Sequence, residues 1–104
     1  MTTYDRDKLI SVFCKKDKGF TTESGSKHII LYFQHEGSKT PFKTHLSRGG
    51  HGKRVDDFLI EQMAMQLKLT KDQFLGIYDC KYGRNDYIQF VKEYLGTQDP
   101  LDLL

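Results

Sequence analysis

The sequence predicts an α+β domain in which helices cover one face of an antiparallel sheet. Three observations predict this class: a helical stripe of apolar residues comes first, β-prone segments separated by turns follow, and helical stretches close the chain. At 104 residues the chain is long enough for one hydrophobic core and too short for two.

The first helix is predicted over residues 5–16, because apolar residues recur there with the spacing of one helical face. These residues are Leu9, Ile10, Phe13 and Cys14. Gly19 is a favourable residue at which to end this helix.

Three strands are predicted next, over residues 20–23, 27–35 and 42–47. Gly25 lies where the first hairpin turn requires a positive φ. A second turn is predicted over residues 36–41. Because short turns join consecutive strands, we expect a three-stranded antiparallel meander.

A central helix is predicted over residues 55–69, which show no strand alternation and contain no helix breaker. Apolar residues surround much of its circumference, so we expect this helix to be buried. Phe58, Met63 and Met65 are interpreted as core residues and not as contacts to a cofactor.

Two shorter helices are predicted at the end of the chain. Thr70 and Gln73 match a capping box that begins the first of them. Asn85 and Asp86 are expected to cap the second, and Gly96 is expected to end it.

The formal charge of +2 conceals an asymmetry along the chain. Residues 1–54 hold 11 basic and 5 acidic side chains, a charge of +6, and all four histidines. Residues 55–104 hold 5 basic and 9 acidic side chains, a charge of −4. We therefore expect any nucleic-acid surface to lie in the first half, between residues 25 and 54.

Membrane association and a disulfide framework are not expected. The longest apolar runs are only a few residues, and the first residues contain no apolar signal region, so we expect no membrane partner. Cys14 and Cys80 are 66 positions apart, which indicates two buried free thiols in a reducing cytoplasm.

The turn before the second strand, Gly25-Ser26-Lys27-His28, places a histidine beside a lysine and a hydroxyl. If RNA lay across this turn, His28 could take the proton of a ribose 2′-hydroxyl, and Lys27 could offset charge on the phosphate. The alternative is a structural or simply exposed histidine. Residue types alone favour that alternative.

The stretch Arg48 to Arg54, which includes Lys53, has three glycines and three fixed positive charges. Two interpretations stay open: contact with a phosphate backbone, and a flexible, solvated basic loop. Asp56 and Asp57 follow in the first helical turn, where they would repel an anion.

No metal site or cofactor is expected. His35, His45 and His51 are ten and six residues apart, spacings that match no familiar site. Neither cysteine accompanies them.

Several segments, taken in order, resemble the HicA family of toxin–antitoxin mRNA interferases. The resemblance covers the helical segment through Gly19-Phe20, the Gly-Ser-x-His hairpin at residues 25–28, the strand at 42–45 and the helix at 58–70. The loop at 47–54 is longer than in the family, and the second helix is more acidic. Residues 77–104 lie outside the family's usual fold.

The resemblance implies a double-stranded-RNA-binding-domain-like α-β-β-β-α domain over residues 1–76, with residues 77–104 as a helical C-terminal extension packed on it. It implies metal-independent RNA cleavage by an endoribonuclease, a hydrolase with His28 as general base, and a HicB-type antitoxin as partner. The RNA would contact a set of glycine, serine and basic residues. These are Gly25, Ser26, Lys27, Lys43, Arg48, Lys53 and Arg54.

Two other hypotheses remain open. The same basic residues would serve a nucleic-acid-binding module that does not cleave, whose affinity would fall steeply with salt. Alternatively, the acidic C-terminal helices would bind a protein partner or a second copy of the chain, giving a homodimer.

Overall fold

The chain folds as an α+β domain in the computed structural model, which describes residues 3–25, 28–35, 37–47 and 54–96. Within these residues the strands are β1 (Thr3–Asp5), β2 (Phe20–Ser24), β3 (His28–His35), β4 (Ser38–Ser47) and β5 (Arg54–Asp56). The helices are α1 (Arg6–Phe13), α2 (Asp57–Gln66), α3 (Lys71–Tyr78) and α4 (Arg84–Leu95). The predicted α+β class with a three-stranded antiparallel sheet is confirmed.

The main sheet is the predicted antiparallel meander, with strand order β2-β3-β4. Phe20 lies opposite Phe33 in the first pair of strands, and Ile29 lies opposite Leu46 in the second. Leu31, Phe33 and Leu46 are buried in the core. Since side chains alternate along a strand, the residues between them lie on the other face of the sheet.

The second turn is shorter than predicted, because residues 38–41 belong to β4. His35 already pairs with Ser38, and the register shifts between Tyr32 and Gln34 in a β-bulge that contains Pro41. Proline has no N–H to donate to the neighbouring strand. The hydroxyl of Thr40 donates to the Phe33 carbonyl instead, at 2.6 Å, so the bulge accommodates the proline.

A second, two-stranded sheet was not predicted. β1 and β5 pair antiparallel, with Tyr4 opposite Val55 and Asp5 opposite Arg54. The predicted central helix is therefore wrong at its start, since α2 begins at Asp57 and ends at Gln66. The predicted first helix was also too long, since α1 ends at Phe13.

The last residue of each short strand caps the helix that follows. The Asp5 carboxylate accepts the N–H of Lys8 at 3.0 Å, and the Asp56 carboxylate accepts the N–H of Leu59 at 2.9 Å. A carboxylate at this position satisfies a backbone donor that the helix leaves unpaired. The two aspartates therefore fix where α1 and α2 begin.

Gly19 does not end α1, whose C-cap is Cys14. It precedes β2 with φ +85°, and a Cβ there would lie 2.8 Å from Arg84 Nε and 3.0 Å from Phe33 Cε1. The glycine is therefore needed both for its backbone conformation and for close packing beside α4.

The core is built around aromatic rings from five elements. Phe20 contacts Phe13, Phe33 and Tyr87, with ring centroids 5.1, 5.3 and 4.9 Å away. Phe74 packs on Phe13 at 4.8 Å. Tyr87 brings α4 into this cluster, so α4 shares one core with the sheet.

Tyr87 also makes a buried hydrogen bond. Its hydroxyl donates to the Leu67 carbonyl at 2.9 Å, just beyond the end of α2. Burial raises the pKa of the Tyr87 phenol far above its ordinary value. The phenol is therefore held in its neutral, donating form.

The two closing helices match their predictions in part. Thr70 and Gln73 form the capping box, with hydrogen bonds of 3.1 and 2.9 Å. α4 begins at Arg84 rather than after Asn85, and the Asp86 carboxylate accepts the N–H of Gly83 at 2.9 Å. Gly96 ends α4 with φ +66°, as predicted.

α2 is less buried than predicted. Met63 is in the core, but Phe58 is 65% exposed, Met65 60% and Leu59 46%. Ile60, Met63 and Ala64 already form the face that packs inward. Because the apolar residues surround the helix, those on the opposite side are left in solvent.

Among the residues described, no helix combines the length and apolar character required to cross a membrane.

Candidate nucleic-acid interface

The exposed side of the main sheet is the surface on which two of the candidate residues, His28 and Lys43, lie. Opposite residues in a ladder share a face, so β2, β3 and β4 together define this surface. We call it the open face. Its side chains, exposed or half-buried, are Thr21, Glu23, His28, Ile30, Tyr32, Gln34, Lys39, Lys43 and His45.

His28 is the first residue of β3 and is exposed. It lies opposite Ser47, whereas His45 lies opposite Ile30. The two histidines are therefore diagonal neighbours on the open face. Their ring centroids are 6.2 Å apart, with the ring planes at 82°.

Lys43 also lies on the open face, opposite Tyr32 and two residues before His45. Lys39 Nζ bonds Glu23 Oε2 at 2.7 Å and lies 5.1 Å from the Tyr32 ring centroid. The hydrogen bond and charge of Lys39 lower the pKa of the Glu23 carboxyl, and the charge of Lys43 lowers it further. Since Glu23 and Lys39 neutralise each other, Lys43 makes this part of the face positive.

Gly25 closes the hairpin beside His28, but not as predicted. Its backbone N–H donates to the His28 carbonyl at 2.8 Å. Its φ lies outside the positive region, so the predicted positive φ is wrong. A Cβ on Gly25 would lie 3.1 Å from that carbonyl oxygen, so the close approach of two backbones explains the glycine.

Arg54 lies away from this surface, in β5 opposite Asp5. The pKa of the Asp5 carboxyl is lowered, first by the N–H of Lys8 and also by the charges of Arg54 and Arg6. Arg54 thus faces an ionised carboxylate in the second sheet. The structure does not bring it together with His28.

Ser26, Lys27, Arg48 and Lys53 fall outside the described residues. Lys27 directly precedes His28, and Arg48 directly follows Ser47, the residue opposite His28.

The N-terminus of α2 does not offer an anion site. The Asp56 carboxylate accepts a hydrogen bond from the N–H of Leu59 in the first turn, and Asp57 Oδ1 forms an ion pair with Lys71 Nζ at 3.4 Å. Both carboxylates would repel a phosphate, as the sequence analysis anticipated.

Both cysteines are free and exposed, so the prediction of two buried thiols is wrong. Cys14 follows the last residue of α1, and partial burial raises the pKa of its thiol. Cys80 follows α3 with φ +63°, and Lys15 Nζ lies 3.8 Å from its sulfur. Both cysteines lie just after the end of a helix and not in the core.

His45 lies beside His28 on the open face, a proximity that the sequence did not predict. From the sequence, His45 is considered only as a metal ligand with His35 and His51, and their spacings match no familiar site. Groups of three or more histidine, cysteine or acidic side chains able to hold a metal do not occur in the described part of the chain.

Comparison with known proteins adds no relative to this description. No family model, no curated protein and no solved structure matches the chain.

Proposed function

We propose that the protein is an RNA-binding, metal-independent endoribonuclease, an mRNA interferase toxin of HicA-like type, with RNA lying across the open face. One observation carries the proposal: His28 is exposed on this face, on the same side of the sheet as Lys43. The centroid of its ring is 6.2 Å from that of His45. A proton acceptor and a cation are thus available on one accessible surface.

The chemistry requires only the RNA and these side chains. His28 takes the proton of a ribose 2′-hydroxyl, whose oxygen attacks the adjacent phosphorus. Lys43, with Lys27 and Arg48 as further candidates, stabilises charge on the phosphate oxygens. Proton transfer by a positioned histidine contributes about 10²- to 10⁴-fold, so we expect a slow enzyme that depends on how RNA is held.

The order of elements supports the double-stranded-RNA-binding-domain-like part of the proposal. α1, β2, β3, β4 and α2 follow one another in the α-β-β-β-α order that the resemblance implies. β1, β5, α3 and α4 are additions to that order. The proposed setting is the cytoplasm, with a HicB-type antitoxin as partner.

The test is RNA cleavage by wild type and His28→Ala in the presence of a chelator. Wild type should cleave, and His28→Ala should lose about 10²-fold or more while keeping its circular dichroism spectrum. Equal cleavage by both proteins would remove His28 from the mechanism.

RNA binding is tested separately with a matched pair of exposed lysines. Lys43→Ala should weaken binding and reduce its salt dependence, whereas Lys81→Ala, in the turn after α3, should change neither. Salt-sensitive binding by a wild type that does not cleave would identify the non-catalytic nucleic-acid-binding module instead.

A second candidate function, protein interaction, is favoured by the exposed side of α2. Phe58, Leu59 and Met65 present apolar surface to solvent on one helix. Clustered exposed apolar residues often mark protein-binding surfaces. An antitoxin or a second copy of the chain are the proposed occupants. A Phe58→Asp variant should lose antitoxin binding or homodimer formation, measured by light scattering, and keep its RNA affinity.

A further inference from the structure

We propose that His45 is the general acid of the cleavage reaction, a role that rests on the ribonuclease activity proposed above. His28 would remove the proton of the 2′-hydroxyl, and His45 would supply a proton to the leaving 5′-oxygen. Two histidines in opposite protonation states would thus act on one phosphodiester.

The strand register holds the two side chains together. β3 and β4 pair antiparallel, with His28 opposite Ser47 and Ile30 opposite His45. Histidines two positions apart across a ladder lie on the same face and are diagonal neighbours. The pairing of the backbones therefore places the two side chains beside each other, and their ring centroids lie 6.2 Å apart.

The two rings are close enough to act on one phosphodiester that lies over the pair on the open face. A general base or acid must come within about 2.6 to 3.2 Å of the oxygen that it serves. Neighbouring imidazoles with centroids 6.2 Å apart can each direct a nitrogen at a different oxygen of that group. Both side chains are exposed, so RNA can reach them from solvent.

The bonds and protons balance without another reactant. The 2′-oxygen forms a bond to phosphorus as His28 accepts its proton, and the bond from phosphorus to the 5′-oxygen breaks as His45 donates one. The products are a 2′,3′-cyclic phosphate and a 5′-hydroxyl. Proton exchange with water then returns both histidines to their starting states.

Charged groups on β2 and β4 lie on the same face as the pair. Lys43 lies on the strand of His45, Glu23 lies in the same row across Ile30, and Lys39 is bonded to Glu23. Lys43 is two residues from His45 on the same face, so it can hold a phosphate beside the His45 ring. A neutral base and a charged acid together predict a rate that is maximal between two pH limits.

Two substrates distinguish an acid from a residue with a merely structural role. A dinucleotide RNA has a poor leaving group, a ribose 5′-oxygen, which needs a proton. A uridine 3′-phosphate ester of p-nitrophenol has a leaving group that departs without one. Loss of the general acid should therefore slow the first reaction and spare the second.

The experiment measures both reactions, with a chelator present, for wild type, His28→Ala, His45→Ala and His45→Gln. We expect His45→Ala and His45→Gln to lose about 10²- to 10⁴-fold on RNA and less than about tenfold on the aryl ester. Their pH profile on RNA should lose its high-pH limb. His28→Ala should be slow on both substrates, and Gln89→Ala, on the exposed side of α4, should match wild type.

The outcomes separate this inference from the proposed function. If wild type cleaves neither substrate, both the ribonuclease activity and the role of His45 are wrong. If wild type cleaves but the His45 variants match it, or lose equally on both substrates, the role of His45 alone is wrong. His45→Gln retains a polar side chain, so it decides the question if His45→Ala proves unstable.

Discussion

Removing the hydroxyl of Tyr87 should destabilise the whole fold. This phenol is buried between Phe20 and Phe33, and it donates to the Leu67 carbonyl at 2.9 Å. Tyr87→Phe keeps the ring and removes only this hydrogen bond. The variant therefore measures the contribution of the hydrogen bond that joins α4 to the residue after α2.

The expected cost is about 1 to 3 kcal/mol, since a buried hydrogen bond is lost and its acceptor stays buried. For a domain of this size, each 1 kcal/mol lowers Tm by about 4 to 8 °C. Tyr87→Ala removes the ring as well and should cost about 3 to 5 kcal/mol. Such a loss is a large part of the stability of a small domain.

The assay is thermal and urea unfolding followed by circular dichroism, with Tyr94→Phe as the matched control. Tyr94 is also on α4 but is 60% exposed, so its hydroxyl should contribute less than about 0.5 kcal/mol. Equal Tm values for Tyr87→Phe and Tyr94→Phe would refute the packing described. If Tyr87→Ala were as stable as wild type, the claim that α4 shares the core of the domain would be contradicted.

The same phenol predicts a dependence on alkaline pH. Burial raises the pKa of Tyr87 in the folded state, whereas the unfolded chain releases this proton near pH 10. The folded state thus binds more protons above about pH 10, and stability should be full below that pH and fall above it. Tyr87→Phe should show a smaller decline than wild type over the same range.

Three further predictions concern a glycine, an ion pair and a helix cap. Gly37→Ala should lower the free energy of unfolding by about 1 to 2 kcal/mol, because Gly37 has a positive φ. Gly19→Ala should lower it further, because Gly19 has a positive φ and a Cβ there would also meet neighbours within 4 Å. Urea unfolding of both variants measures the difference. In an NMR titration, the pKa of the Glu23 carboxyl should lie below the ordinary value and rise in Lys39→Met. Asp56→Ala should lower the free energy of unfolding by about 1 kcal/mol, and an unchanged value would contradict its capping role.

The main sheet and the late helices could be predicted because their signals are local. The β-prone run over residues 27–35 matches β3 closely, and Gly96 ends α4 as its position indicated. Thr70 and Gln73 lie three residues apart, so their capping box depends on no distant contact. Such features are set by neighbouring residues in the chain.

The second sheet could not be predicted for the opposite reason. β1 and β5 have three residues each, too few to show a period of two, and they pair across about 50 positions of sequence. Val55 was therefore assigned to a helix. The exposure of Phe58 and Met65 was missed because an apolar pattern does not say which side of a helix meets the core.

Of the two histidines that lie together on the open face, the sequence indicated only His28 as a candidate catalytic residue. His28 was identified by its place in a hairpin motif, and the structure leaves it accessible. His45 was not paired with it, because their proximity depends on strand register. His35 pairs with Ser38, so the connection between β3 and β4 is shorter than the predicted turn. A prediction that started this strand at residue 38 would have brought His45 near His28.

The most direct test of the account is to map the RNA-binding surface by NMR. A short oligonucleotide with 2′-deoxy residues cannot undergo the attack by a 2′-hydroxyl, so it can be titrated into the labelled protein without being cleaved. We predict chemical-shift changes concentrated on the open face, at Tyr32, Lys43, His28 and His45. Changes confined to the exposed side of α2, or no change at low salt, would contradict the proposal that RNA lies across the open face.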